Sequence, residues 1–329
     1  MDLMPLDGPA FVRAVATGDV YERLAGLDGS VVVVEADGLP DRLDAEAMDR
    51  LATLPAVVVA RTSATDRRPA WADLVAAPDD PLLVTVARMV AAQPLAATVL
   101  SLLLRTGEGR TVPEGLVAES TAYGLLQAGP EFARWRASRP VRARASADGP
   151  PVRVERHGRE LTVVLDRPWV RNALDSAMRD ALVEALAIAA HDPSVTVVHL
   201  RGAGDSFCSG GDLDEFGARS DPATAHLVRL LASPARSMAE VADRLVAHLH
   251  GDVAGSGIEL AAFAGRVVAA RSTRISLPEV GLGLIPGAGG TVSLPRRIGR
   301  HRTLRLALSA GSIDADTALG WGLVDEVTD

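Results

Sequence analysis

Short apolar runs alternate with amphipathic stretches along the chain, and the alternation starts twice. "SVVVVEADG" is apolar enough for a buried strand, "LDAEAMDRLATL" has helically spaced apolar positions, and "AVVVART" is a second buried strand, which predicts a β-α-β unit over Ser30 to Thr62. Helical patterns dominate from Pro81 to Ala137. The longest apolar stretch, Met89 to Leu104, is broken by Gln93 and Pro94 and falls short of the roughly 18 residues of a membrane span. It reads as one buried or half-buried helix. Arg, Ser, Gly and Pro gather in "FARWRASRPVRARASADGPP", a linker closing near Pro151.

The pattern then restarts. "LTVVLDRP" is a strand, "ALDSAMRDALVEALAIAA" a helix and "VTVVHLRGAG" a strand. Next come "FCSGGDLDEF", helical segments from Ala223 to Leu249, "HGDVAGSGIELAAFAG", the strand "RVVAA" and "ISLPEVGLGLIPGAGGTVSLPRRIG". The rest, "HRTLRLALSAGSIDADTALGWGLVDEV", is a helix, a turn, a short helix and an apolar end. Repeated strand-helix alternation defines an α/β class. "VVVVEADGLPDRLDAEAMDRL" and "LTVVLDRPWVRNALDSAMRDAL" share a strand, a Pro-containing loop and a Leu-Asp helix start, which fits either a degenerate internal repeat or chance.

Composition narrows the choice. At 329 residues the length favours two units, and 48% hydrophobic with 23% charged residues is ordinary for a globular chain. A net charge of -8 with 3% aromatics argues against nucleic acid. The sequence has no lysine, so phosphate must be held by arginine or backbone amides, and Schiff-base chemistry is excluded. The single cysteine, Cys208, rules out an internal disulfide or a multi-thiolate metal site and fits a reducing cytoplasm. The start, "MDLMPLDGPAF", lacks the basic and apolar regions of a secretory signal.

Within "AGSGIELAAFAG" one carboxylate, Glu259, sits among small and apolar residues. Ser256 and Glu259 fit the S-x-x-E capping box, which would make Glu259 a local staple. Alternatively, the glycines let a ligand approach free amides at a helix start, and Glu259 acts as an acid or base beside it. Other motifs fail. "GLGLIPGAGG" lacks G-x-G-x-x-G spacing, and a P-loop needs lysine. "GDSF" suggests an ester hydrolase nucleophile but lacks a D-x-x-H partner. His248 and His250 have no third ligand, and Cys208 has no adjacent base.

Three segments taken together, "FCSGGDLDEF", "AGSGIELA" and "SLPEVGLGLIPGAGG", resemble in order and detail the signature of the enoyl-CoA hydratase/isomerase (crotonase) superfamily. The resemblance runs from Val152 through "RPWVRNAL" to "ALGWGLVDEV". It implies a crotonase-like ββα spiral core and an oxyanion hole formed by the amides of Gly211 and Ser256, which would stabilise an enolate-like thioester oxygen. Glu259 and Glu279 map onto the two glutamates of the hydratases, one activating water and one protonating the α-carbon. The substrate-binding positions implied are Arg167, Arg171, Ala173, Gly210, Asp212, Leu213, Gly255, Pro278 and Gly287. Of these, Asp212 is expected to orient its turn, Asn172 or Asp175 to cap a helix, and Arg167 and Arg171 to meet phosphate or form a solvated turn. Phe216 to Leu249 would line the acyl pocket, with small and aliphatic side chains.

The resemblance further implies an acyl-CoA substrate, no metal, no cofactor beyond coenzyme A in the substrate, and a homo-oligomer, trimer or hexamer. Hydration is favoured over isomerisation or hydrolysis because both glutamates are present; a weakly catalytic partner subunit is the reading from a different class. Two departures stand out. Ser256 replaces the usual glycine, and the helices that normally follow "GLVDEV" are absent, whereas Met89 to Pro140 resembles them. The expected organisation is a degenerate crotonase-like β-α-β unit over 1–80, a helical region and linker over 81–150, and a catalytic core over 151–329.

Overall fold

In the computed structural model the described residues are 5–24, 30–140, 149–218 and 221–329. The chain opens with helices α1 (Gly8–Thr17) and α2 (Asp19–Leu24), then β1 (Ser30–Glu35), α3 (Ala45–Ala52), β2 (Ala56–Arg61) and β3 (Leu74–Ala76). These strands form a parallel sheet in the order β1-β2-β3, with Val31 to Val34 opposite Val57 to Ala60. The predicted β-α-β unit is therefore present. β2 is buried along almost its whole length, as expected of a parallel strand covered on both faces.

Four helices follow: α4 (Leu82–Ala92), α5 (Pro94–Arg105), α6 (Val112–Gln127) and α7 (Pro130–Ala137). The apolar stretch read as one helix is thus two, bent by 113°. Pro94 begins α5 at a position that tolerates its missing N–H, and Gln93 between the helices has a non-helical backbone. No single described helix is long and apolar enough to cross a membrane. Of the linker expected from Phe132 to Pro151, the first six residues belong instead to α7 and residues 141–148 lie outside the described residues, as do the first four residues of the start.

The second half contains β4 (Val152–His157), β5 (Glu160–Leu165), α8 (Ser176–His191), β6 (Val197–Gly202), α9 (Pro222–Leu231), α10 (Pro234–Glu240), β7 (Leu245–Leu249), β8 (Asp252–Ala254) and α11 (Ser256–Ala261). It continues with β9 (Arg266–Ala270), β10 (Arg274–Ser276), α12 (Gly290–Leu308), β11 (Ser312–Asp314), α13 (Ala315–Trp321) and β12 (Glu326–Thr328). A six-stranded sheet in the order β12-β9-β7-β6-β5-β4 is parallel except for the β4-β5 hairpin. A small sheet, β11-β10-β8, stands beside it. "LVAHL", expected to end a helical segment, is instead the strand β7, whose residues alternate between buried and half-buried. Five residues are too few to separate the two periods, and the flanking strands β6 and β9 decide the outcome.

One core cluster spans both halves, joining Val57, Val86, Leu100 and Leu116 to Ile258, Leu284 and Leu294. Asp73 adds a polar tie, accepting from Arg105 Nη2 at 2.6 Å and lying 3.4 Å from Arg300 Nη1 of α12. Arg105 also donates to the carbonyls of Leu51, Leu54 and Ala56, so the buried charge pair is fully hydrogen-bonded. The two similar strand-loop-helix passages share one geometric detail: Asp44 caps α3 through the Ala47 amide, and Asp175 caps α8 through the Met178 amide.

Candidate active site

Two loops pair to form the floor of a cavity of about 390 Å³. Leu174 N–H donates to Gly210 O at 2.8 Å and Asp212 N–H donates to Leu174 O at 2.9 Å. Asn172, fully buried with φ 55°, fixes the first loop by accepting from Arg167 N–H and donating to the carbonyls of Ala203, Ser206 and Phe207. Arg167 turns inward, 2.6 Å from Asp175 and 3.9 Å from Asp212, and donates to Ala173 O, so its guanidinium organises the loop. Arg171 is exposed, 3.5 Å from Asp252. Asp212 also accepts from Asp214 N–H, which fits the turn-orienting role expected of it.

The second wall starts at α11. Its N-cap is Gly255, with φ 47°, and Ser256 is already its first helical residue. The S-x-x-E staple is therefore not formed: Ser256 Oγ is buried beside the Cys208 thiol, and Glu259 reaches across to accept from Ala288 N–H at 2.7 Å and Gly290 N–H at 2.9 Å. The chain does form such a box at Thr111 and Glu114, where the Thr is a true N-cap outside the helix. The amides of Gly211 and Ser256, both in the cavity wall, donate to no group among the described residues.

Glu279 follows Pro278 at the start of a 3-10 turn, Glu279–Leu282. Its Oε1 lies inside the space a Cβ of Gly255 would need, and its Oε2 is buried with no hydrogen-bond partner among the described residues. The glycine is therefore required both by its backbone and by its neighbour. Both glutamates line the same cavity. Burial, then the charges of Glu279 and Glu119, hold the Glu259 carboxyl well above its usual range. Burial raises Glu279 to about 7, its own amide opposing and Glu119 adding to the rise.

Gly211, Asp212, Ser256, Glu259, Glu279 and Gly287 line the cavity. Gly210, Gly255, Ala173, Arg167 and Pro278 shape the turns behind it, while Leu213 and Arg171 lie outside the lining. The expectation that Phe216 to Leu249 supplies only small and aliphatic lining needs correction. Phe216, Ala225 and Val228 line the cavity, but so does Arg229, and β7 contributes nothing to it.

Sequence reasoning also missed α6, which closes the site from the first half of the chain. Tyr123 and Gln127 line the cavity, and the Tyr123 ring packs where a Cβ of Gly287 would stand. One turn earlier, Glu119 accepts from Gly289 N–H at 2.7 Å, Thr291 N–H at 2.9 Å and Thr291 Oγ1 at 2.7 Å. Burial raises Glu119 to about 7. The available signal was a carboxylate and a tyrosine one turn apart on the buried face of a helix, between Leu116 and Leu126.

The six-stranded sheet with its small side sheet, the converging glycine turns and the buried glutamate pair are those of a crotonase-fold protein. The chain belongs to the enoyl-CoA hydratase/isomerase family, whose model matches residues 159–329. It is 39% identical over 174 residues to the 2,3-dehydroadipyl-CoA hydratase of Escherichia coli, a match covering 53% of this chain and 68% of that protein. It is 34% identical over 173 residues to the 1,2-epoxyphenylacetyl-CoA isomerase of the same organism, covering 51% and 66%. Among solved structures, an enoyl-CoA hydratase from Thermoplasma volcanium matches with a TM-score of 0.50 at 34% identity, covering 55% of this chain and 73% of that one.

Proposed function

We propose that the chain adds water across the 2,3 double bond of an acyl-CoA thioester. The observation that carries this reading is one cavity holding two buried carboxyls, Glu259 and Glu279, and two uncommitted amides, Gly211 and Ser256. The thioester oxygen lies against the amides, each such donor being worth about 3–4 kcal/mol when the oxygen gains charge. One carboxylate takes a proton from water as the water oxygen bonds to C3. The double-bond pair moves onto the thioester oxygen as an enolate, and the protonated partner carboxyl delivers a proton to C2. One proton is taken and one given, leaving a 3-hydroxyacyl-CoA. Burial and mutual repulsion support a pair that keeps one proton near neutrality.

Coenzyme A enters as part of the substrate. The hydratase named above supports the reading, and the isomerase shows that family membership alone does not select the reaction; two retained carboxyls favour hydration. We also read α4 to α7 as completing the site within the same chain, because α6 supplies Tyr123, Gln127 and the Glu119 anchor. A homo-oligomer, trimer or hexamer, belongs to the same reading and is tested by light scattering.

Crotonyl-CoA, followed by the absorbance of its conjugated thioester, is the direct assay. Hydration predicts loss of absorbance, a 3-hydroxybutyryl-CoA product, and a fall of about 10²–10⁴-fold in Glu259→Gln and in Glu279→Gln. Binding without product for 2-enoyl-CoA thioesters of several chain lengths and end groups in the wild type would sink the hydratase reading.

A further inference from the structure

One end of the cavity holds a cation that no described carboxylate contacts directly. Arg229, on α9, is half-buried in the lining and has no ion pair among the described residues. Its Nε donates to Ser120 Oγ at 3.0 Å, Nη2 to Ser120 O at 3.2 Å and Nη1 to Gln127 Oε1 at 3.4 Å, all neutral oxygens. Three of the guanidinium's five N–H groups are thereby used, and two remain. Burial lowers its basicity, and the charges of Tyr123 and Glu119 oppose that fall without an ion pair to either.

The acids nearby are engaged elsewhere. Glu119 is held by the amides and hydroxyl of α12, Glu215 accepts from Ser176 N–H and Oγ, and Asp175 faces Arg167. Arg179, the other arginine in the lining, pairs with Asp180 at 2.6 Å. Arg229 is placed by its stack on Tyr123, 4.7 Å from the ring centroid, and the same ring packs where a Cβ of Gly287 would stand, in the loop held by Glu259. The Tyr123 ring thus links the cation to the loop that Glu259 holds. The Tyr123 hydroxyl makes no hydrogen bond among the described residues, which leaves a second donor beside it.

We propose that Arg229 receives a carboxylate at the far end of the acyl group, so that the preferred substrates are 2-enoyl-CoA thioesters of dicarboxylic acids. This rests on the acyl-CoA reading of the site. Two parallel N–H groups match a carboxylate, and the desolvated stack strengthens the charge pairing. A methyl-ended chain would leave the guanidinium unpaired.

Saturated thioesters separate this inference from the reaction, because they cannot be hydrated. Calorimetry would compare adipoyl-CoA with hexanoyl-CoA, glutaryl-CoA with pentanoyl-CoA, and free coenzyme A. At least one carboxyl-ended thioester should bind ten-fold or more tightly than its methyl-ended partner. Arg229→Gln should abolish that ratio, Arg229→Lys should retain part of it, and coenzyme A should bind all three proteins alike. Equal binding within each pair by the wild type overturns the subsite. So does an Arg229→Gln loss shared by coenzyme A alone, which would move the arginine to a phosphate. A carboxylate preference in a protein that hydrates no enoyl-CoA would uphold the subsite and remove the hydratase reading.

Discussion

Glu119 and Glu259 hold alternate amides of a single loop. Glu259 takes Ala288 and Gly290, and Glu119 takes Gly289 and Thr291. A carboxylate from each half of the chain therefore fixes the start of α12, where unpaired N–H groups and the helix dipole favour negative charge. Both carboxyls are buried, and the charge of Glu119 also raises Glu259 and Glu279.

Glu119→Gln should lower kcat by up to about 10²-fold through loss of loop positioning. Removing its charge lowers the pKa values of Glu259 and Glu279 toward the ordinary range, so the acid limb of the pH-rate profile should move to lower pH. Glu114→Gln, at the exposed capping box of the same helix, can keep the bond back to Thr111 and should leave the profile in place. Steady-state rates across pH check both.

Stability should also depend on these acids. The folded state raises Glu279 and Glu119 to about 7, above their unfolded values, so it favours their neutral forms. Their contribution is complete below about pH 4.5 and is lost as pH rises through about 7. Thermal unfolding of wild type and Glu279→Gln from pH 4 to 8 should show a shallower loss on the alkaline side for the variant.

Gly255→Ala should remove activity while leaving a folded protein. The new Cβ enters the space of Glu279 Oε1 at a positive φ, which costs about 1–3 kcal/mol and displaces the carboxyl. Circular dichroism with the crotonyl-CoA assay separates loss of rate from loss of fold; undiminished turnover would contradict the geometry.

Asp73→Ala should cost about 3–5 kcal/mol, because it strands Arg105 in the core and releases Arg300. Denaturant titration checks the loss. A decline in crotonyl-CoA turnover at denaturant concentrations below global unfolding would show the first half of the chain parting from the cavity it helps to line.

The sequence revealed the second half well because its chemistry sits in short, contiguous segments. Gly211, Ser256, Glu259 and Glu279 lie in glycine-flanked turns, and those turns meet at the cavity. Ser256 and Glu259 also imitated a capping box; only the helix start at Gly255 shows that the serine stands one position too late to cap. β7 was misread because a five-residue strand carries little periodicity, and the α4-α5 break because Pro94 can lie within or at the start of a helix. Glu119, Tyr123 and Arg229 were invisible for a different reason. Their partners lie 170 positions away for Glu119 and 109 for Arg229, and no local pattern encodes such contacts.

That separation has a temporal side. As the chain leaves the ribosome, Glu119 emerges long before the Gly289 and Thr291 amides exist, and its carboxyl is still bathed in water with an ordinary affinity for protons. Closing so long a loop is among the later events of folding, since its entropy must be met before the contact forms. The contacts that bring α12 to Glu119 also hold Glu259 and place the Glu119 charge that raises Glu279. Maturation of the fold and the switching-on of its acid-base machinery are, on this geometry, a single event.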